Sequence, residues 1–263
     1  MIYLSSLMAL EGGTAFEEAL RRTGAQCGVE VFSFRYAQAE IDGLKRRIEG
    51  FAGHPLSFHG PMHTVEMTAA PSTPAWDALF EHYERAFALA RWAGGKSMVA
   101  HTHERRITTE EKPRRMAQCR ENLEGICALG AAYGITVRIE NVSLPEKGIP
   151  LFDPEEYIAL IKALSSAQAL VDVGHVHVTG WNLCALIMAL GEKIGGFHLH
   201  NNDGRQDSHD WLFEGTMDAE KTLRLMRRHV PCAEAVLEYG GLAGHTADDL
   251  CFDIERVRAL LER

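Results

Sequence analysis

The sequence predicts α/β architecture in the form of a single (β/α)8 barrel. Three observations predict it: eight short apolar runs rich in β-branched residues, a helical stretch after each, and a length of 263 residues against about 250 for this architecture. No composition break, low-complexity stretch or linker divides the chain, so residues 1–263 are expected to form one domain. The competing fold, a doubly wound open sheet, usually carries a glycine-rich phosphate loop after an early strand, and no GxGxxG occurs here.

The elements follow in order. Residues 2–5 form the first apolar run, and TAFEEALRR then places Thr14 three residues before Glu17, the spacing of a capping box, with Phe16, Ala19 and Leu20 at helical period. GVEVFSF (28–34) reads as the second strand, residues 37–51 as a helix, and LSFHG as the third strand. Residues 74–93 form a long amphipathic helix closed by Gly94 and Gly95, before the strand SMVAHT. PRRMAQCRENLEGICALGAAYG leads in the same way into ITVRIEN. DPEEYIALIKAL precedes ALVDVGH, NLCALIMALG precedes IGGFHLHN, and AEKTLRLMRRH precedes EAVLEY; TADDLCFDIERVRALLE closes the chain as a helix.

Composition narrows the function classes. At 46% apolar and 24% charged residues, the chain lies in the globular range. No run reaches the roughly 18 apolar residues of a membrane span, and MIYLSSLMAL lacks a basic n-region and a small-residue cleavage site, which reads as a soluble, cytoplasmic protein. The six cysteines show no CxxC spacing and are expected to be reduced, buried small hydrophobes. With 27 basic against 36 acidic residues, the charge of −9 disfavours nucleic acid as a partner, although local basic patches survive a negative total. The basic residues of KRR, RRMAQCR and LRLMRRH fall on helices that face outward from a barrel and read as solvated faces.

Histidine departs from the average. Of 13, nine (His59, His63, His101, His103, His175, His177, His198, His200, His209) lie at or just beyond the ends of apolar runs. In a (β/α)8 barrel the C-terminal strand ends converge on one mouth. Strand 3 ends in His59, strand 4 in His101, strand 5 in Glu140, strand 6 in Asp172 with His175 just after it, strand 7 in His200 and strand 8 in Glu238; the loop after strand 7 adds Asp207 and His209. Imidazoles and carboxylates without thiolate are ligands for a borderline divalent ion such as Zn²⁺ or Mn²⁺. Without a cation, Glu140, Asp172, Asp207 and Glu238 would repel one another in a shared mouth, and each unpaired buried charge would cost several kcal/mol.

The segments SFHGP, VAHTH, RIENV, VDVGH, HLHNND with DSHDWLFEG, and VLEYGG, in this order over about 180 residues, resemble the xylose isomerase-like TIM-barrel superfamily, which unites sugar isomerases and epimerases with the endonuclease IV family. The resemblance implies that Glu140, Asp172, His200 and Glu238 form the metal site shared with the sugar enzymes. It also implies that His59, His101, His175, Asp207 and His209 match the further ligands of the three-zinc endonuclease. The family spacing of histidine, two residues and aspartate selects His200 with Asp203; His198, two residues earlier and on the same side of the strand, is the alternative.

Two mechanisms compete for such a site. In the first, an ion holds the carbonyl and adjacent hydroxyl of an open sugar, while Glu140 and Glu238 remove and return a proton through an enediolate as base and acid. In the second, two or three Zn²⁺ ions generate hydroxide for attack on abasic DNA; the complete ligand set favours it, and the acidic total and mixed-sign loop HERRITTEEKP oppose it. A metal-dependent lyase or hydrolase acting on a polyol or keto acid is a third reading. The expected ligand is thus a small-molecule sugar or sugar phosphate with one to three divalent ions, and a homo-oligomer stays open. Trp181 and Trp211 are candidates for an apolar wall against a sugar, with helix packing as their alternative role. Phe34, Arg35, Met62 and His63 lie in loops that set substrate identity, and Gly12-Gly13 and Gly240-Gly241 are candidate phosphate loops.

Overall fold

The computed structural model describes residues 1–10, 14–142 and 144–262. Eight strands, β1 (Ile2–Ser5), β2 (Cys27–Val31), β3 (Leu56–His59), β4 (Ser97–Ala100), β5 (Thr136–Glu140), β6 (Gln168–Asp172), β7 (Ile194–Leu199) and β8 (Glu234–Leu237), pair in parallel in chain order. The sheet closes where Ile2 of β1 faces Ala235 of β8. Eight strands, each followed by helix, make this a (β/α)8 barrel. The strands are buried on both faces, as parallel strands between a barrel interior and a helical ring must be.

The helices are α1 (Ala15–Thr23), α2 (Ile41–Glu49), α3 (Pro74–Ala93), α4 (Lys112–Tyr133), α5 (Pro154–Ala163), α6 (Val173–Thr179), α7 (Leu183–Leu190), α8 (Ala219–His229) and α9 (Ala247–Glu262). Gly94 and Gly134 end α3 and α4 in the left-handed conformation that glycine adopts without strain. None of the described helices is long and apolar enough to cross a membrane.

Several local expectations are corrected. Thr14 has helical backbone angles and makes no capping bond, because a cap side chain reaches back only from an extended residue; the capping box forms instead at Asp153 and Glu156 on α5. The second strand stops at Val31, and the helix expected over 37–51 begins as a 3-10 turn at Gln38 before α2. Helix α6 arises directly from the end of β6, in a stretch whose sequence reads as strand end and loop. Of the six cysteines, all unpaired, Cys27, Cys119 and Cys127 are buried, whereas Cys184 and Cys232 are exposed on the surface.

At the N-terminal end, the barrel is plugged by Arg138 of β5, paired with Glu234 of β8, and by Tyr3, whose hydroxyl donates to the same carboxylate. Polar groups at the opposite end are therefore the ones that face a mouth.

Candidate functional site

Three neighbouring strands deliver the first group. His59 closes β3, His101 follows β4 and Glu140 closes β5; Nε2 of His101 is 3.0 Å and Nε2 of His59 4.0 Å from Oε2 of Glu140. Nδ1 of His59 bonds the carbonyl of Gly60 at 2.9 Å, which turns its Nε2 toward the barrel axis.

Asp172 has two tasks. It closes β6 and caps α6 by accepting from the backbone N–H of His175 at 2.7 Å, so His175 sits on the first turn of that helix with Nδ1 3.2 Å from Oε1 of Glu140. His200, just beyond β7, brings Nε2 to 3.0 Å from both oxygens of Asp172. The loop after β7 adds Asp207, whose Oδ2 is 3.2 Å from Nε2 of His175 and 3.2 Å from Nε2 of His209. His209 adopts φ 51°, a left-handed conformation that is strained for a non-glycine residue, and its ring stacks on His200 at 3.9 Å. Glu238, beyond β8, completes the ring; its Oε2 is 3.8 Å from Nδ1 of His209.

Beneath them lies His198. It is fully buried, with Nε2 3.0 Å from Oε1 of Glu30 on β2 and Nδ1 3.0, 3.7 and 3.9 Å from carboxylate oxygens of Glu238, Asp172 and Glu140. It belongs to the floor of the cluster, so the two histidines of HLH both point inward, one layer apart.

All nine residues expected as metal ligands thus converge. They form overlapping groups whose ligand atoms lie within 4.8 Å of one another: His59, His101 and Glu140; Glu140, Asp172 and His198; Asp172, His200 and Glu238; and His175, His200, Asp207 and His209. Among the described residues, Glu140 Oε2, His175 Nδ1, His198 Nδ1 and Asp207 Oδ1 are buried there in imidazole–carboxylate contacts that lack hydrogen-bond geometry. Atoms of alternating donor type, aimed at common points, fit divalent cations.

The electrostatics agree. Burial penalises the charged form of Glu140, yet His101, His198 and His175 hold its carboxyl well below the usual range. Asp172, Asp207 and Glu238 are likewise held down against burial by the imidazoles around them. Burial pulls the imidazoles down, but carboxylates outweigh it at four of them, among them His198, which Glu238 and Glu30 raise well above the ordinary value. Glu140 and Glu104 leave His101 raised to about 9, Asp172 and Asp207 leave His175 at about 10, and Asp207 and Glu238 leave His209 at about 9. His59 goes the other way, lowered by burial and by His101. Without an ion, protons on imidazole do the neutralising that a metal would do.

Above the cluster opens a cavity of about 290 Å³, walled by Leu7, Phe32, Phe34, Met62, Val142 and Leu144 and bordered by His63 and Lys147. His63, at φ 59°, stacks on Phe34. The two tryptophans do not line this cavity. Trp181 packs by Tyr157 and lines a separate cavity with His177 and Leu183, and Trp211 is buried against Tyr239 and His245. Both pack against neighbouring rings, and Phe32 and Phe34 of the β2–α2 segment line the cavity instead. Arg35 pairs outward with Glu40, and Asp203 caps its own turn by accepting from the backbone of Arg205 and Gln206. Gly240 and Gly241 border a shallow cleft with Asp210 and Glu214, whose charges repel phosphate; Gly12 and Gly13 lie outside the described residues.

Three glutamates escape the sequence reading. Glu30 interrupts the apolar run CGVEV, and a lone carboxylate in a strand buried on both faces is the signal that could have found it. Glu104 and Glu66 lie in loops without periodicity and carry none.

A closed parallel barrel with carboxylates and imidazoles gathered at its C-terminal mouth places the chain among the (β/α)8 barrels that carry a polar cluster at the strand ends. The profile of the xylose isomerase-like TIM barrel family matches residues 12–250, and the chain belongs to that family. Among solved structures, it is similar to a D-tagatose 3-epimerase-like protein (18% identity, 99% of this chain and 97% of that chain covered, TM-score 0.78). It is also similar to a Thermus thermophilus protein, TTHB071, soaked with ZnCl2 (20%, 98% and 97%, TM-score 0.71). A D-psicose 3-epimerase crystallised in the presence of D-fructose shares the fold as well (15%, 99% and 99%, TM-score 0.74). Curated proteins give no match by sequence.

Proposed function

We propose that the protein is a divalent-metal-dependent isomerase or epimerase of a small sugar or sugar phosphate. The observation that carries this reading is the convergence of Glu140 and Glu238 on one point: both carboxylates lie within 4 Å of His198 Nδ1, at 3.9 and 3.0 Å, under a walled cavity of about 290 Å³. That volume lies at the smaller end of small-ligand sites. The fold shared with sugar 3-epimerases supports the same substrate class.

Glu140, Asp172, His200 and Glu238 would hold the ion, with His59, His101, His175, Asp207 and His209 available to hold one or two more. Zn²⁺ or Mn²⁺ suits this donor set. When bound, the ion supplies polarisation of a sugar carbonyl, which makes the neighbouring C–H acidic. One of Glu140 and Glu238 takes that proton to give an enediolate, and the other returns a proton to the neighbouring carbon or the opposite face. Phe32 and Phe34 line one side of the cavity and would present an apolar surface to the C–H face of the sugar.

A multi-ion hydrolase acting on a small ester is the second reading, favoured by the four-residue group His175, His200, Asp207 and His209, which is complete without the other ligands. DNA fits poorly: Lys147, which borders the cavity, is already paired with Glu104, whereas a phosphate backbone requires a row of free cations. The experiment is incubation of metal-loaded protein with ketohexoses in D2O. Deuterium entering at the carbon beside the carbonyl supports proton transfer; release of phosphate from esters without exchange favours hydrolysis.

A further inference from the structure

Among the described residues, Glu104 stands behind the metal-type cluster and touches it through one imidazole. Its carboxylate is 9% exposed; Oε1 lies 2.7 Å from Nδ1 of His101, on the far side of the ring from Nε2, which faces Glu140 at 3.0 Å. Oε2 is 3.3 Å from Nζ of Lys147 and 3.3 Å from Nδ1 of His63. The loop carrying Glu104 is itself fixed from below: Oε2 of Glu66 accepts the backbone N–H groups of Glu104 at 3.3 Å and Arg105 at 2.8 Å, and Arg115 pairs with Glu66.

A neutral imidazole carries one N–H, and the partner of one nitrogen decides what the other offers. His59 obtains that partner from a backbone carbonyl, which no substitution removes. His101 depends on a side chain. We propose that Glu104 is a positioning residue that accepts the Nδ1–H of His101, fixes its tautomer and ring angle, and leaves Nε2 bare as a preorganised metal ligand, with Lys147 balancing the added charge. A carboxylate behind a ligating histidine also raises its basicity, and loss of such a partner weakens metal affinity by about 10–100-fold.

The inference rests on the metal-dependent reading above, and zinc affinity tests it without reference to turnover. Zinc stoichiometry and affinity are measured by competition with a chromophoric chelator for the parent, Glu104→Gln, Glu104→Ala, His101→Ala, Lys147→Met and the double variant Glu104→Ala/His101→Ala. One equivalent is expected to weaken about 10–100-fold in Glu104→Ala and less in Glu104→Gln, which keeps the shape but loses the charge. In the double variant, zinc binding should match that of His101→Ala alone, because the carboxylate acts only through that ring. Lys147→Met should stay within a few-fold of the parent. Parent-like affinity in both Glu104 variants overturns the role, as does a double variant whose remaining equivalents bind more weakly than those of His101→Ala, the outcome of a general structural role. If Glu104→Ala does not fold, Glu104→Gln and its double variant with His101→Ala decide in the same way. A folded parent that binds no zinc overturns the metal reading together with this one.

Discussion

Asp172 meets His200 with both carboxylate oxygens, each 3.0 Å from Nε2, and the imidazole lies against Gly174, two residues further along the chain. The contact leaves no room for a side chain: a Cβ at Gly174 would overlap Cε1 of His200. Gly174→Ala is therefore expected to push the ring off Asp172. Overpacking of this kind costs about 1–3 kcal/mol, to be read by denaturant unfolding, and it should reduce metal retention. A variant with parental stability and metal content would show that the ring has another place to go.

The paired carboxylates give a second expectation. Glu140→Gln and Glu238→Gln should each abolish turnover, because an amide neither takes nor returns the proton, and each should also weaken metal retention, since both residues belong to two of the ligand groups. Steady-state rates and metal content of both variants check this. Full activity in either removes that residue from the acid–base pair.

The residues at the strand ends are legible in the sequence because the barrel obliges them to converge: once eight strands are counted, the C-terminal residue of each points to one place. His59, Glu140 and Asp172 are read in this way, and the structure brings them together. His175 is legible as a neighbour of Asp172, but the helix that aims it is not, because VGHVHVT is rich in valine and follows a strand without a break. Loop geometry is not legible. The wall of the cavity depends on β2 stopping at Val31, which frees Phe32 and Phe34 to turn into the mouth, whereas Trp181 and Trp211 have the composition of a sugar platform and are spent on packing.

His59 tests how many ions the cluster holds. With His101 and Glu140 it forms a group separate from that of Asp172, His200 and Glu238, so His59→Ala is expected to lose one metal equivalent while an ion remains at the other group. Elemental analysis of the purified variant gives the answer. Unchanged metal content with a raised KM would instead make His59 a substrate contact and reduce the cluster to one ion.

The pH dependence has a sign on each side of neutrality. In the metal-free protein, His101, His175 and His209 are raised to about 9, 10 and 9 from the ordinary histidine value near 6.5. A raised folded value contributes stability that is complete below about pH 6.5 and is lost as pH climbs through 9 to 10. His103 is the reverse case: burial and Lys147 lower it to about 3, so its contribution is present above about pH 6.5 and declines as pH falls toward 3. Thermal unfolding of the chelator-treated protein should therefore show Tm falling on both sides. Saturating zinc should offset the alkaline decline, because imidazole binds metal as the neutral base and metal affinity rises with pH. An alkaline decline of equal size with and without zinc would mean that ions do not replace protons on these rings.

Metal content per chain, measured by elemental analysis on protein purified without chelator and again after chelator treatment and reconstitution, tests the central claim most directly. The account predicts at least one equivalent of zinc or manganese, lost to chelator and regained on reconstitution together with deuterium exchange into a ketose. A folded protein that takes up neither ion, or one whose exchange activity survives metal removal, would contradict it.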